Sequence, residues 1–398
     1  MSRSTDPSTA PAAPAIVLAG GGTTGHIAPM IATAEALLEL APDAALTCIG
    51  TSRGLETRLV PAAGLDLQLV PPVPLPRKPG VDLLKVPGRL AGSVRRAGAI
   101  LDQRGATAVV GFGGYVSLPA YLAARRRGIP VVIHEGNAVP GLANKVAARF
   151  ARRVLASFPG TPLPRAEAVG MPLRSALTRL AHQGRSTDAR SARLTLGLDP
   201  DRPTLLVTGG SQGARSINQA MLAALDELLA AGVQVLHIWG PRNFDESRQP
   251  RTDATTGARY LPVGYVDAME SAYAAADLMV ARSGAGTVCE AASTGLPAIF
   301  VPLPHGNGEQ ARNAEALVAA GGGVLVADAE LDGPRLAREV LSRITDPQAL
   351  AAMSAVGPSI VSPDAAAIVA RIVLECSSYQ ASGLPHAGSR AGDDPDAA

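Results

Sequence analysis

Two stretches of this chain, IVLAGGGTTGHIAP (16–29) and LLVTGGSQGARSIN (205–218), share one plan: an apolar run, a glycine-rich turn and a helix start. Such a unit ends a buried strand at a helix N-terminus, where unpaired N–H groups and a partial positive charge favour phosphate. One unit in each half of a chain of 398 residues, too long for one ordinary core, implies an α/β protein of two Rossmann-like domains with parallel sheets. Short apolar runs alternate with helical patterns throughout. They are Ala15–Ala19, Leu46–Gly50, Leu67–Val70, Ala108–Gly111, Val131–His134 and Arg153–Ala156, then Thr204–Thr208, Val233–Trp239, Ala258–Leu261, Leu278–Ala281, Ala298–Val301 and Gly323–Val326. The proline-rich FPGTPLPRAEAVGMPLR (158–174) breaks this alternation and sets the expected domain boundary. The expected division is a disordered N-terminus (1–14), a first domain (15–165), a second (166–376) and a disordered tail (377–398).

Several classes are excluded. A net charge of +2 exerts no general pull on nucleic acid. Cys48, Cys289 and Cys376 are odd in number and far apart, so neither a disulfide framework nor a zinc site is expected. The Asp-x-Asp pairs at 199–201 and 394–396 read as turn and tail residues rather than metal ligands, and no metal is expected. The N-terminus lacks the apolar core of a signal peptide, and no apolar run is long enough to span a bilayer.

Four glycine-rich turns end strands: Gly20–Gly25, Gly111–Gly114, Gly209–Gly213 and RSGAGT (282–287). The first has the GxGxxG spacing of a dinucleotide turn. An NAD site, however, places an acid at the end of the second strand, and that strand ends in Gly50, Thr51 and Ser52. A dinucleotide cofactor is therefore not expected.

The segments GGTTGHIAP, GFGGYVSLPAYLAA, HEGNAVPGLANK, GMPLR, GGSQGARSINQ, RSGAGTVCEAASTGLPAIFVPLPH and GEQARNAEAL occur in this order. Together, over about 15–375, they resemble the MurG glycosyltransferases of bacterial peptidoglycan synthesis. The resemblance implies a two-domain GT-B fold. It also implies inverting transfer of N-acetylglucosamine from UDP-GlcNAc to the C4 hydroxyl of MurNAc in undecaprenyl-pyrophosphoryl-MurNAc-pentapeptide (lipid I), giving lipid II for cell-wall growth, shape and division. It brings no cofactor and no metal. On the donor it implies Thr23, Thr24, Gly25 and Asn137 from the first domain, and Arg174, Ser211, Val266, Ala285, Gly286, Thr287, Val288, Cys289, Glu290 and Gln310 from the second. Val266 would meet the uracil, Glu290 both ribose hydroxyls, Ser211 and Arg174 the diphosphate, and Gln310 the sugar. Gly113, Gly114, Tyr115, His134 and Glu135 are candidates for the acceptor side, with His134 read as a second base, an acceptor ligand or a satisfied structural histidine. Glu309 stands before Gln310 where a second glutamine is common.

His26 is the expected base, being able to take a proton near neutral pH at the mouth of the first turn. A histidine there also suits the plainer task of bonding a backbone carbonyl. Residues 77–96 carry six basic residues and one acid among Val81, Leu83, Leu84, Val86 and Leu90, which fits an anionic membrane surface. Their prolines and glycines point to a loop and a short helix. The expected place is the cytoplasmic face of the cell membrane, peripherally. Two other readings remain: a different UDP-sugar glycosyltransferase or epimerase of the same fold, and a non-catalytic nucleotide-sugar-binding regulator.

Overall fold

The computed structural model describes residues 13–73, 81–210, 212–305 and 307–377, with only the backbone of 81–84. The first domain runs β1 (Ala15–Ala19), α1 (Thr24–Leu40), β2 (Ala45–Gly50), α2 (Glu56–Ala62), β3 (Asp66–Leu69) and α3 (Val81–Gln103). It continues with β4 (Ala108–Gly111), α4 (Ser117–Arg126), β5 (Val131–Glu135), α5 (Leu142–Ala147), β6 (Arg153–Ala156) and β7 (Ala166–Ala168). These strands form one parallel sheet in the order β3-β2-β1-β4-β5-β6-β7.

The second domain begins with α6 (Ser175–Gln183), α7 (Ala189–Thr195), β8 (Thr204–Thr208), α8 (Arg215–Ala230), β9 (Gln234–Ile238), β10 (Arg251–Thr252) and β11 (Arg259–Val263). Then come α9 (Met269–Ala275), β12 (Leu278–Ala281), α10 (Ala285–Thr294), β13 (Ala298–Phe300), α11 (Glu309–Ala319), β14 (Gly323–Leu325), α12 (Gly333–Ile344), α13 (Pro347–Ile360) and α14 (Ala365–Cys376). Its sheet order is β10-β11-β9-β8-β12-β13-β14, parallel except for the β10–β11 pair. The two expected parallel sheets are thus present, with β10 added antiparallel at one edge.

Both faces of each sheet are covered, which explains the nearly unbroken apolar strands. In β1, Ile16 and Leu18 pack under α1, whereas Val17 and Ala19 face α3 and α4. In β8, Leu206 faces the side of α9 and α10, and Leu205 and Val207 face α8 and α12. Helix α14, last in sequence, returns to the first domain. There it buries Val369, Ile372 and Val373 with Ile16 and Leu18, each contributing about 1.5–3 kcal/mol.

Three expectations need adjustment. Strand β7 lies inside the proline-rich stretch and pairs with β6, so the crossing to the second domain follows Ala168 rather than 165. Helix α3 runs unbroken through Pro87, Gly88 and Gly92 instead of dividing into loop and short helix. The proline costs one backbone bond near the start, while Leu90, Val94, Ala97 and Leu101 seat the rest on the core. Of the two termini expected to be disordered, only 13–14 and Ser377 fall among the described residues, and the Pro14 carbonyl accepts the Ala45 amide at 2.9 Å.

Strand order reverses between β1 and β4 in one sheet and between β8 and β12 in the other. The crevices beyond such switch points are where ligands bind in open α/β sheets. All four glycine-rich turns leave these four strands.

Candidate active site

Strand β1 hands the chain to α1 through Gly22, at φ +88°, and through Thr23, which caps the helix in an extended conformation. The His26 ring thereby turns back on its own loop. Its Nδ1 lies 3.2 Å from the Gly21 carbonyl oxygen and 3.3 Å from Thr23 Oγ1. A carbonyl only accepts, so Nδ1 carries the proton and donates, leaving Nε2 with a lone pair. Burial lowers the His26 pKa below 6.5, partly offset by Glu135, the Gly21 carbonyl, Glu309 and Glu56. A neutral imidazole at pH 7 follows.

The second turn closes over that ring. At Gly114, φ is +80° and a Cβ would lie 2.7 Å from the Gly21 carbonyl oxygen, so a side chain would displace the group that holds His26. Gly113, at φ +91°, lies against the Nε2 edge of the ring. The Ser117 hydroxyl joins both turns, 2.8 Å from the Ala19 carbonyl and 2.6 Å from that of Gly113. Tyr115 is 61% exposed and open to a ligand.

Glu135 and His134, candidates for the acceptor side, are both buried, which for His134 fits the structural reading. The Glu135 carboxylate accepts the amides of Asn137 and Gly141 and the Asn144 side-chain amide, all at 3.0 Å, and so fixes the loop after β5. His134 is fully buried, with Nε2 2.8 Å from the Gly170 carbonyl, and Nδ1 has no partner among the described residues. Burial pushes its pKa down to about 4, and that of His237, buried between Asn218 and Tyr260, to about 3.

A pH dependence of stability follows. Unfolding lets both rings protonate near 6.5, so the unfolded chain binds more protons below that pH and stability falls as pH is lowered. From pH 7 to pH 5 each ring removes on the order of 2 kcal/mol. Thermal unfolding midpoints measured at the two pH values should show the decline, and equal midpoints would refute it.

The donor side centres on α10, whose N-cap Gly284 is extended. Ala285, Gly286 and Thr287 form its first turn. Val288 and Cys289 point into the core, so only their backbone is available to a donor. Burial pushes the Cys289 thiol well up, which leaves it inert. Glu290 is half-buried and accepts the Tyr273 hydroxyl at 2.7 Å on Oε2, leaving Oε1 toward Gly286. Burial raises its carboxyl above 4.5, while Tyr273 and the Arg174 guanidinium draw it down. Arg174, at the head of α6, thus lies near enough to Glu290 to favour its ionised form. Val266 is half-buried against the second core. Gln310 Oε1 accepts the Leu303 amide at 3.0 Å, and its Nε2 donors remain. Ser211 lies outside the described residues. Around it, the third turn is fixed by the Gly213 amide on the Gly210 carbonyl (2.9 Å) and by Asn243 Nδ2 on the Gln212 carbonyl (3.0 Å).

Three anchors escape sequence reading. Asn313, 1% exposed on α11, accepts the Ala138 amide at 2.9 Å and donates to Asn137 Oδ1 (3.4 Å) and the Ser283 carbonyl (3.3 Å). One side chain therefore joins the loop after β5 to the turn after β12, across the two domains. Arg282 pairs with Asp328 at 2.5 Å and donates to Ser216 Oγ at 3.0 Å, fastening the fourth turn to the head of α8. Glu56 is a fully buried carboxylate under the first turn. An acid close after Gly50 and Gly54 was the available signal, but nothing local told it from a solvated first-turn glutamate.

Residues 16–156 match the N-terminal domain model of glycosyltransferase family 28, and residues 204–364 match the C-terminal domain model. A Cutibacterium acnes protein named UDP-N-acetylglucosamine--N-acetylmuramyl-(pentapeptide) pyrophosphoryl-undecaprenol N-acetylglucosamine transferase is 61% identical over 91% of this chain and 97% of its own length. A Nocardioides protein of the same name is 55% identical over 90% and 97%. The crystal structure of Acinetobacter baumannii MurG superposes with a TM-score of 0.73 at 28% identity, covering 91% of this chain and 99% of that one. With both domain models matched in order and relatives this similar over their full length, the chain belongs to the MurG group of glycosyltransferase family 28.

Proposed function

We propose that this protein transfers N-acetylglucosamine from UDP-GlcNAc to the C4 hydroxyl of MurNAc in lipid I, forming lipid II. The observation that carries this reading is the pairing of a His26 whose Nδ1 is engaged and whose Nε2 has no hydrogen-bond partner among the described residues with a half-buried Glu290, in a fold whose four glycine turns converge on two switch points. Glu290 suits a ribose diol, because a carboxylate offers several lone pairs to two hydroxyl donors. His26 Nε2 takes the C4 hydroxyl proton as that oxygen bonds to C1 of GlcNAc. The C1–O bond to the diphosphate breaks in the same displacement and its electron pair leaves on UDP. The charge gathering there is met by the N–H groups of the third turn and α10 and by Arg174. The first domain, with α14 packed on it, takes the acceptor, and the second takes the donor.

Among the described residues no helix is long and apolar enough to cross a membrane. We place the protein peripherally on the cytoplasmic leaflet through α3, where Arg89, Arg95 and Arg96 are exposed; residues 77–80 of the basic stretch lie outside the described residues. Salt-sensitive sedimentation with phosphatidylglycerol vesicles tests this, and its absence removes the placement.

The experiment for the activity is transfer of labelled GlcNAc from UDP-GlcNAc to a short-chain lipid I analogue. Disaccharide product is expected. No product overturns the reading, and consumption of UDP-GlcNAc without acceptor favours an epimerase.

A further inference from the structure

Glu56 opens α2 with no exposed surface, in a loop of polar turn residues. Its Oε2 accepts the Gly22 amide at 2.9 Å, and its Oε1 accepts the Thr51 amide and hydroxyl, each at 2.9 Å. A buried carboxylate is costly unless donors satisfy it, and these three do so. The chain also closes tightly around it, since a Cβ at Gly21 would lie 2.7 Å from Oε1. The Gly22 amide is the N–H that a turn of this kind would offer to a phosphate. An internal anion already holds it, which explains how a GxGxxG turn exists here without a dinucleotide.

The Gly22 N–H and the Gly21 C=O belong to the same peptide group. That group is planar and stiff, so fixing its N–H end fixes the direction of its carbonyl. The carbonyl in turn accepts His26 Nδ1 at 3.2 Å. Glu56, the Gly21–Gly22 peptide and His26 therefore form a line of hydrogen bonds, in which each bond polarises the next. From this we infer that Glu56 is the positioning residue of His26, setting the ring's tautomer and aim through the intervening peptide rather than by contact. The inference rests on reading His26 as the base. The other charges facing the ring are Glu135, from β5, and Glu309, at the head of α11.

Glu56→Gln keeps the shape of the side chain but places an NH₂ group against a donor. Expected with the short-chain acceptor is a fall in kcat of about 10–100-fold, with both KM values changed little. The acid limb of the rate profile should move to lower pH, since a negative charge favouring the protonated ring is gone. In a His26→Ala background the same change should add no further loss, which a merely structural role would not produce. Wild-type kcat in Glu56→Gln, or a full additional loss in the double variant, overturns the inference. If His26→Ala is itself fully active, the base reading fails first; if it is impaired and Glu56→Gln is not, only this inference fails. Should Glu56→Gln not fold, ¹⁵N NMR of His26 in the unmodified protein decides. The Nδ1–H tautomer at pH 7–8 is required, and the Nε2–H tautomer overturns it.

Discussion

His26→Ala lowers kcat for GlcNAc transfer by about 10²–10⁴, the usual contribution of a positioned proton acceptor. The KM for UDP-GlcNAc stays within about threefold, as expected for an interaction made only in the transition state. The expectation depends on Nε2, because Nδ1 is committed to the Gly21 carbonyl at 3.2 Å. It also depends on the ring's charge state. Burial holds the pKa below 6.5, so the wild-type enzyme keeps its base unprotonated into mildly acidic solution, and activity is lost only as pH falls through that lowered value. In His26→Ala this acid limb disappears from kcat at saturating donor, where protonation of the donor site no longer enters. Steady-state rates from pH 5.5 to 9 check both statements. A variant with unchanged kcat would remove His26 from the chemistry and leave it the plainer role of fastening the first turn.

The strands around that turn were legible because both faces of each sheet are covered, and β1, β4, β8 and β12 read as short apolar runs closed by glycine. The two strands that were not legible are edges. Strand β7 has only one neighbour and sits among prolines, and β10 is a two-residue antiparallel pair. Neither carries enough side-chain pattern to be seen. Helix α3 was misjudged for the opposite reason, since tertiary packing outweighed Pro87.

The site divides along a similar line. His26, Glu290 and Gln310 stand in recognisable motifs. Glu56 and Asn313 acquire their meaning from partners 34 and 175 residues away, Gly22 and Ala138, which no local spacing encodes. His134 and Glu135 show the limit of a motif. They stand in a motif beside a strand end, yet their side chains turn under the loop, where Glu135 satisfies three N–H donors. Position in a motif located the loop but not the direction of its side chains.

The largest effect on donor binding is expected at Glu290. Glu290→Ala should raise the KM for UDP-GlcNAc and the inhibition constant of UDP by about 10²–10⁴. This follows because hydrogen bonds to a charged acceptor are worth about 1.5–3 kcal/mol each and two ribose hydroxyls lose theirs. The buried Tyr273 hydroxyl, now 2.7 Å from Oε2, loses its acceptor as well, adding a cost in stability. Tyr273→Phe separates the two contributions: it leaves the carboxylate in place, so donor KM should rise only severalfold. The pH dependence has a definite sign. Burial holds the Glu290 carboxyl above 4.5, so it takes up a proton at higher pH than an exposed glutamate. Donor affinity should therefore weaken as pH falls through that raised value, and Glu290→Gln should be weaker throughout and keep only the dependence that comes from the UDP phosphate itself. Calorimetric titration of UDP into the three variants and the wild type, at pH 5.5 and 7.5, measures the changes in affinity without the lipid acceptor, and the transfer assay supplies the KM values. Loss confined to UDP, with acceptor KM unchanged in the transfer assay, is the required result; an equal rise in both would take Glu290 out of the nucleoside site.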